Sequence, residues 1–504
     1  MKIFTKLFLM LFVATPLLAQ NELVIEPGTS EQPVFINSII HADTLENGER
    51  NPDRVYVLRR NGLYFVSQEI NIGANKLHIK AEDGEGMRPF IAPFPNETGA
   101  YPRMFRVAGD LILDGLHWNN INGATYKWGG NANTGSNSRI EIRNCFIERD
   151  AGAAWMTYGK NGTFIFENCV IGNIGVPKKL SGNGRMFDTR GNETDTVIIR
   201  HCTIYLISDR VFRNLGGEVK YFEFDHNTVI NTQGRNGSFS LGKTHNIKIT
   251  NNLMMNPLYM GNHPGTEEQT HPDNENFYVL AMDTAYSGLL EIHHNNITFT
   301  QEVKDYYATN DSVSEPAVLE PLIASTMGEA ASEAFFTEEI AFTNVPPFPM
   351  DYLVSIFANP LAGFHPDNFD TSVGMPNIDA SYPTTSQSFT GDEDGKPLGS
   401  HMWWDPSELN GISKNKSMNG LEVCVYPNPA TETLHVAYTL DSPASVNISV
   451  YDLQGRMIMT QFEGFKSAGL QRCTISLSSL TSGVYFLHVQ SDMQGLSVQQ
   501  LIVK

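Results

Sequence analysis

The chain has 504 residues, a net charge of −20 and 18% charged side chains. That balance excludes a general nucleic-acid or anionic-membrane binder, because both need a basic face. Forty-two Gly, 10% aromatics and Asn-rich turns suit an all-β protein.

Residues 1–20 read as a secretory signal. Lys2 and Lys6 precede the apolar run Leu7 to Val13, and Pro16-Leu-Leu-Ala19 ends in a small residue. No second run reaches the roughly 20 apolar residues a spanning helix needs, so no transmembrane segment is expected in the mature chain. A lead-in, residues 21 to about 75, has short strands Val55-Tyr-Val-Leu58 and Leu63-Tyr-Phe-Val66 around the turn Arg60-Asn-Gly62. Leu77-His-Ile-Lys80 and Leu111-Ile-Leu-Asp114 start the first coils.

A four-residue phrase then recurs six times: apolar, any residue, Asn or His, then Cys or Asn. The copies are Ile142-Arg-Asn-Cys145, Phe166-Glu-Asn-Cys169, Ile199-Arg-His-Cys202, Phe224-Asp-His-Asn227, Ile249-Thr-Asn-Asn252 and Ile292-His-His-Asn295, with last residues 24, 33, 25, 25 and 43 apart. A period near two dozen residues signals a solenoid, whose coils bury their apolar faces only against their neighbours. The fourth positions are expected inside, holding the coils in register. Cys145, Cys169 and Cys202 are expected to stack as free thiols, since buried Cys behaves as a small hydrophobe.

The longer steps mark inserts at Val176 to Gly184 and about Pro257 to Asn276. The second holds His263, His271, Asp273 and Glu275, read as a polar loop. Strand alternation sends His293 and His294 to opposite faces, and no metal site is assigned. After Glu302 the pattern breaks. Ala317 to Ala334 has helix-like composition and is expected to cap the solenoid, whose domain runs over residues 21–374. Residues 375–420 form a closing wrap and linker. There Asp392-Glu-Asp-Gly395 starts like a calcium loop but lacks the later Glu, and reads as an acidic turn. Residues 421–504 alternate in short strands, such as Val446 to Tyr451 and Gly483 to Val489, and predict a small antiparallel, Ig-like β-sandwich. Cys424 and Cys473 lie in it and could pair in an oxidising compartment.

A second repeat, aromatic-x-x-x-Gly, lies between the phrases. It occurs at Phe105 to Gly109, Trp155 to Gly159, Phe187 to Gly191 and Phe212 to Gly216, with a short copy at Phe239 to Gly242. If the aromatic points inward, the next residue points outward. That register holds Arg106, Met156, Asp188, Arg213 and Ser240, and two places on come Ala108, Tyr158, Arg190 and Leu215. Arg103, Arg185 and Arg210 stand where the chain enters this strand. Arg149 and Lys160 flank it in sequence. Guanidinium groups bind carboxylates or sulfates in bidentate fashion, so such a face suits an acidic polysaccharide. The same residues also fit an ion-pair ladder that only solvates a face.

Tyr426-Pro-Asn-Pro-Ala430, Ile448 to Arg456, Leu480-Thr-Ser-Gly-Val-Tyr-Phe486 and Leu501-Ile-Val-Lys504 closely resemble the type A C-terminal sorting domain of the type IX secretion system of Gram-negative bacteria. The resemblance implies engagement with that machinery and a secreted or outer-membrane-surface protein. Residues 21 to about 400 resemble the pectate-lyase-like right-handed parallel β-helix class. The Asn register carries this likeness, with Gly374-Met-Pro-Asn-Ile-Asp379, Gly391 to Gly399 and Trp403-Trp404. That class holds lyases, hydrolases, epimerases, esterases and non-catalytic adhesins. In its lyases a base takes the C5 proton of a uronate while Ca²⁺ or an Arg neutralises the carboxylate. By this resemblance Arg210 or Lys160 would be the base, and Arg185, Arg190 or Arg213 the neutraliser. Arg106, Arg149, Tyr158 and Asp188 would line the substrate, and Ca²⁺ is a possible cofactor. The expected function is therefore action on an acidic polysaccharide, as a β-eliminating lyase or as a non-catalytic adhesin.

Overall fold

Leu77–Ala81 shows how the strands form: Leu77, Ile79 and Ala81 are buried while His78 and Lys80 are half-buried, the period-2 signature of a strand on a core. The computed structural model describes residues 21–358, 378–404 and 422–503, apart from 30, 120, 123–124, 127–130, 151, 176–183, 235, 264, 267–268, 271–275, 284–287, 427–429, 432, 441, 453–455 and 494. The expected signal, nearly all of the first insert, His271, Asp273, Glu275, Gly374 to Asn377 and Pro427 to Pro429 lie outside the described residues.

Three all-parallel sheets dominate. The first has ten strands, from Glu22–Ile25 to Leu290–His293, the second ten, from Leu63–Val66 to Phe335–Phe336, and the third eight, from Phe105–Val107 to Ala317–Leu319. The chain visits them in turn. Arg139–Arg143, Phe146–Glu148 and Ala153–Thr157 make one circuit, and Gly162–Glu167, Val170–Ile174 and Arg185–Asp188 make the next. This order is consistent with the expected solenoid. The lead-in strands already belong to it: Glu22–Ile25 pairs with Val55–Leu58 in the first sheet, and Leu63–Val66 opens the second.

The repeated phrase is the turn from the first sheet to the second. Its third residue carries the positive φ: Asn144, Asn168, His201, His226, Asn251 and His294 lie between 50° and 58°. Asn and His tolerate this region better than most side chains. Its fourth residue points inward, and Cys145, Cys169, Cys202, Asn227, Asn252 and Asn295 are fully buried. All but Cys202 reach the same acceptor one coil back. Cys145 Sγ and Cys169 Sγ approach the Leu113 and Ile142 carbonyls, while the Nδ2 groups of Asn227, Asn252 and Asn295 donate to Ile199, Phe224 and Ile249. Asn252 Oδ1 also accepts from the Asn227 backbone N–H at 2.8 Å, and Asn295 Oδ1 from Asn252 N–H at 3.1 Å. All three ladder thiols are free.

His293 and His294 were expected on opposite faces, but their Nδ1 atoms lie 2.8 Å apart. The strand ends at His293, and the positive φ of His294 turns its ring back. The cap also differs from the helical expectation. Ala317–Leu319 pairs with Tyr278–Ala281 as the last strand of the third sheet, and only Pro321–Met327 is α-helical, followed by a 3₁₀ turn. The open sheet edge outweighs helix propensity there.

Residues 378–403 close over the second sheet. Ile378, Ala380 and Trp403 pack on Phe146, Val170, Tyr205, Ile230 and Met255. Gly399 N–H donates to the Asn251 carbonyl, Ser400 N–H to Thr228 Oγ1, and Trp403 Nε1 to Thr203 Oγ1. Gly399 sits at φ 84°, where a Cβ would come 2.4 Å from Thr228 Oγ1.

The C-terminal strands form a separate compact unit. A three-stranded sheet (Glu422–Tyr426, Thr433–Leu440, Gly469–Ser476) and a four-stranded one (Met457–Lys466, Ala444–Tyr451, Gly483–Ser491, Gly495–Val503) are antiparallel. They share one core of residues such as Leu434, Val436, Ile448 and Leu487, which makes a sandwich. Cys473 is a free thiol, pushed up to about 11 by burial and by Glu463. No described helix is long and apolar enough to cross a membrane.

Two outcomes follow from the ladder. Asn252→Ala strands the Asn227 N–H and the Phe224 carbonyl in the core, and should cost roughly 3 kcal/mol, within the range for unsatisfied buried groups, read as a shifted denaturant midpoint. Burial also raises the Cys145 and Cys202 thiols well above their ordinary value. In peptide mapping after alkylation, neither they nor Cys169 should be labelled in native protein, and all three should be labelled once it is unfolded.

Candidate functional site

The third sheet is organised by its aromatics. Phe105, Trp155, Phe187, Phe212 and Phe239 are all fully buried, and Phe187 stacks on Phe212 with centroids 6.0 Å apart. Alternation then sends the next residue to the outer side. Strand pairing puts Arg106, Ala132, Met156, Asp188, Arg213, Ser240 and Ala281 on one register line.

Asp188 is the hub of this line. Its Oδ2 lies 3.3 Å from Arg185 Nη1, 3.1 Å from Arg213 Nη1 and 3.9 Å from Arg190 Nη1, and its Oδ1 accepts from the Arg190 backbone N–H. Although it faces away from the core, Asp188 has only 1% of its side chain exposed. Asp209, which the repeat did not single out, is a second hub, with Arg185 Nε at 3.0 Å and Arg210 Nε at 3.8 Å. Burial pushes the Asp209 carboxyl up, and Arg210 and Arg185 more than offset this, so it ends below the usual carboxylate range. Arg185 is 8% exposed and held by both carboxylates. Arg210 Nε donates to the Asn236 carbonyl. Arg213 is brought down to about 10 by burial and by Arg185 beside it, and its buried Nε has no hydrogen-bond partner.

The accessible part of this face surrounds Tyr158, which is 42% exposed. Arg106 lies 5.5 Å and Arg190 5.9 Å from its ring centroid, and its hydroxyl donates to Met156 Sδ. Both guanidiniums are within cation–π range. Lys160 is exposed and pairs with Glu193 at 3.4 Å. Arg149, at φ 60°, lies 3.6 Å from Glu148, which also meets His117. The structure thus joins Arg185, Arg190, Arg210 and Arg213 through two aspartates, sets Arg106 and Arg190 at Tyr158, and gives Lys160 and Arg149 carboxylate partners of their own.

A second group lies where the closing segment crosses the turns between the first and second sheets. His201 and His226 occupy the positive-φ position of successive phrases, so their rings meet, 5.1 Å apart. His401 packs on both, at 4.9 and 4.4 Å. His226 Nδ1 donates to Asp225 Oδ2 at 2.8 Å, and its Nε2 lies 3.2 Å from Asp392 Oδ2. Burial lowers the His226 pKa, but Asp225 and Asp392 raise it to about 9. Burial, with His401 and His226 nearby, holds His201 down to about 3. Residues 393–395 make the expected exposed acidic turn, but the first residue of that motif, Asp392, is a buried partner of His226, because the closing wrap carries this carboxylate onto the coils. Only the use of His in place of Asn at two successive turn positions hinted at this group in the sequence. His263 of the second insert is buried against Phe277.

Comparisons with known proteins bear mainly on the tail. No curated protein matches the chain. Among solved structures, a β-glucosidase from Listeria innocua in complex with glucose aligns at 12% identity over 42% of this chain and 30% of its own, with a TM-score of 0.13, too low to carry an argument. Residues 424–504 match the family model described as a secretion system C-terminal sorting domain. The tail is thus a type IX secretion sorting domain, and the chain is a secreted or cell-surface protein.

Proposed function

We propose that residues 21–403 form a right-handed, pectate-lyase-like parallel β-helix that binds an acidic polysaccharide outside the cell. Parallel strand crossovers are right-handed in almost every case, which supports the hand. The observation that carries the binding role is Tyr158, exposed on the third sheet with Arg106 and Arg190 against its ring. Coils stack about 4.8 Å apart, so Arg106 and Arg190, separated by the coils of Ala132 and Met156 with Tyr158 between them, mark a line along which an anionic sugar chain can lie. An aromatic ring offers a sugar face a flat apolar partner, and guanidinium offers its carboxylate a bidentate one.

Retention without cleavage is the leading reading. Arg185 and Arg210 are held by Asp188, Asp209 and the Asn236 carbonyl, and a binding face needs no base. β-Elimination is the second reading, favoured by Arg213, whose guanidinium is brought down to about 10. Once deprotonated, the Arg213 side chain would take the C5 proton, the uronate carboxylate being neutralised by Arg190 or by Ca²⁺. The sorting domain delivers the protein through the type IX machinery in either case.

On immobilised pectate, alginate or glycosaminoglycan the mature protein should be retained. The pair Arg106→Ala and Arg190→Ala should weaken retention about tenfold or more, the loss of charge-assisted contacts. Failure of the unaltered protein to bind any of the three would sink the reading. For the second reading, unsaturated products absorbing in the ultraviolet should appear, with or without Ca²⁺, and vanish in Arg213→Lys. Their absence from every polymer leaves binding alone.

A further inference from the structure

We infer that His226, Asp392 and His401 form a site for one divalent transition-metal ion of the zinc class, which staples the closing segment onto the coils. The three offer ligand atoms that all lie within 4.8 Å of one another. Ligand atoms around a tetrahedral zinc stand about 3.3–3.5 Å apart, from bonds of about 2.0–2.2 Å. The His226–Asp392 distance of 3.2 Å is already there, and a rotation of the His401 ring supplies the remainder.

The surroundings are those of a metal centre rather than of a chance cluster. Asp225 holds His226 Nδ1 at 2.8 Å and is itself fixed by Thr250 Oγ1 and Asn251 Nδ2. This carboxylate–histidine pairing sets the tautomer and aims Nε2 at the ion. His401 Nε2 donates to the Pro397 carbonyl at 2.9 Å. A carbonyl can only accept, so in the neutral ring Nδ1 carries the lone pair. His201 borders the same space, and its buried Nδ1 has no hydrogen-bond partner. Two imidazoles and one carboxylate are a borderline-soft donor set, suited to zinc or its neighbours and unlike the all-oxygen shells of Ca²⁺.

The ligands come from two places far apart in sequence. His226 is fixed by its turn between the first and second sheets, whereas Asp392 and His401 arrive on the closing segment. The ion would replace the proton that His226 Nε2 now shares with Asp392. Asp392 and His226 are 2% and 12% exposed, so such an ion would be largely enclosed, with three protein ligands and a water completing its tetrahedron. The site is independent of the glycan-binding face, and its failure would leave that reading untouched.

The mature full-length protein, stripped with a chelator, should be titrated with Co²⁺ and then Zn²⁺. We expect one equivalent of Co²⁺ to give the intense visible bands of a four-coordinate ion, displaced by one equivalent of Zn²⁺. Zn²⁺ should also raise the melting temperature. His401→Gln, which lies outside the coils, should weaken binding at least about 100-fold, and the positioning variant Asp225→Asn about 10–100-fold. His293→Ala with His294→Ala, removing the exposed histidine pair, should change nothing. No stoichiometric Co²⁺ spectrum from the unaltered protein overturns the proposal. So does a spectrum that persists in His401→Gln, since the ion would then sit elsewhere.

Discussion

Everything in the coils depends on satisfying the backbone polar groups where the first sheet turns into the second. A solenoid repeats the same turn at the same place, so an unpaired amide there would be repeated at every coil. The Asn227–Asn252–Asn295 ladder meets this need, because one side-chain amide both donates to the carbonyl one coil back and accepts from the N–H of the coil before it. Cys145, Cys169 and Cys202 fill the same column in the earlier coils, where a thiol reaches the same class of carbonyl with a weaker contact. The column is thus amide at one end and sulfur at the other, with the aromatic stack of the third sheet facing it across the core.

That inner order fixes what the outside can present. Strand alternation places Arg106, Met156, Asp188 and Arg213 on one line, and coil stacking brings them together although Arg106 and Arg213 are more than a hundred residues apart. Within the line, burial sorts them. Asp188 and Asp209 draw Arg185, Arg210 and Arg213 inward, while Arg106 and Arg190 stay at the exposed Tyr158. The buried ion pairs and the exposed arginines are therefore two depths of one surface: Asp188 and Asp209 hold the inner guanidinium groups, and Arg106 and Arg190 lie against the Tyr158 ring.

The turn that builds the ladder also builds the histidine group. A positive-φ residue must point away from the core when its successor points in, so His201 and His226 stack on the outside as Asn227 and Cys202 stack within. The closing segment then covers the apolar outer side of the second sheet and brings Asp392 and His401 to those rings.

The sequence by itself determined the repeating parallel strands, the inward column and the outward register of the third sheet, because each rests on local alternation and on a recurring period. The antiparallel tail domain was legible for the same reason. Two things were decided only by tertiary structure. Exposure was one: Arg185 and Arg190 are both candidates for the outer face from the sequence, yet Arg185 is buried against Asp209, one coil on, while Arg190 stays at Tyr158. The other was convergence across long separations. Asp392 reads only as part of an acidic turn until the closing segment lays it and His401 beside His226, and no spacing rule reaches across 166 positions. The same limit governs His293 and His294, where a single backbone rotation at the end of a strand overrode the alternation that holds inside it.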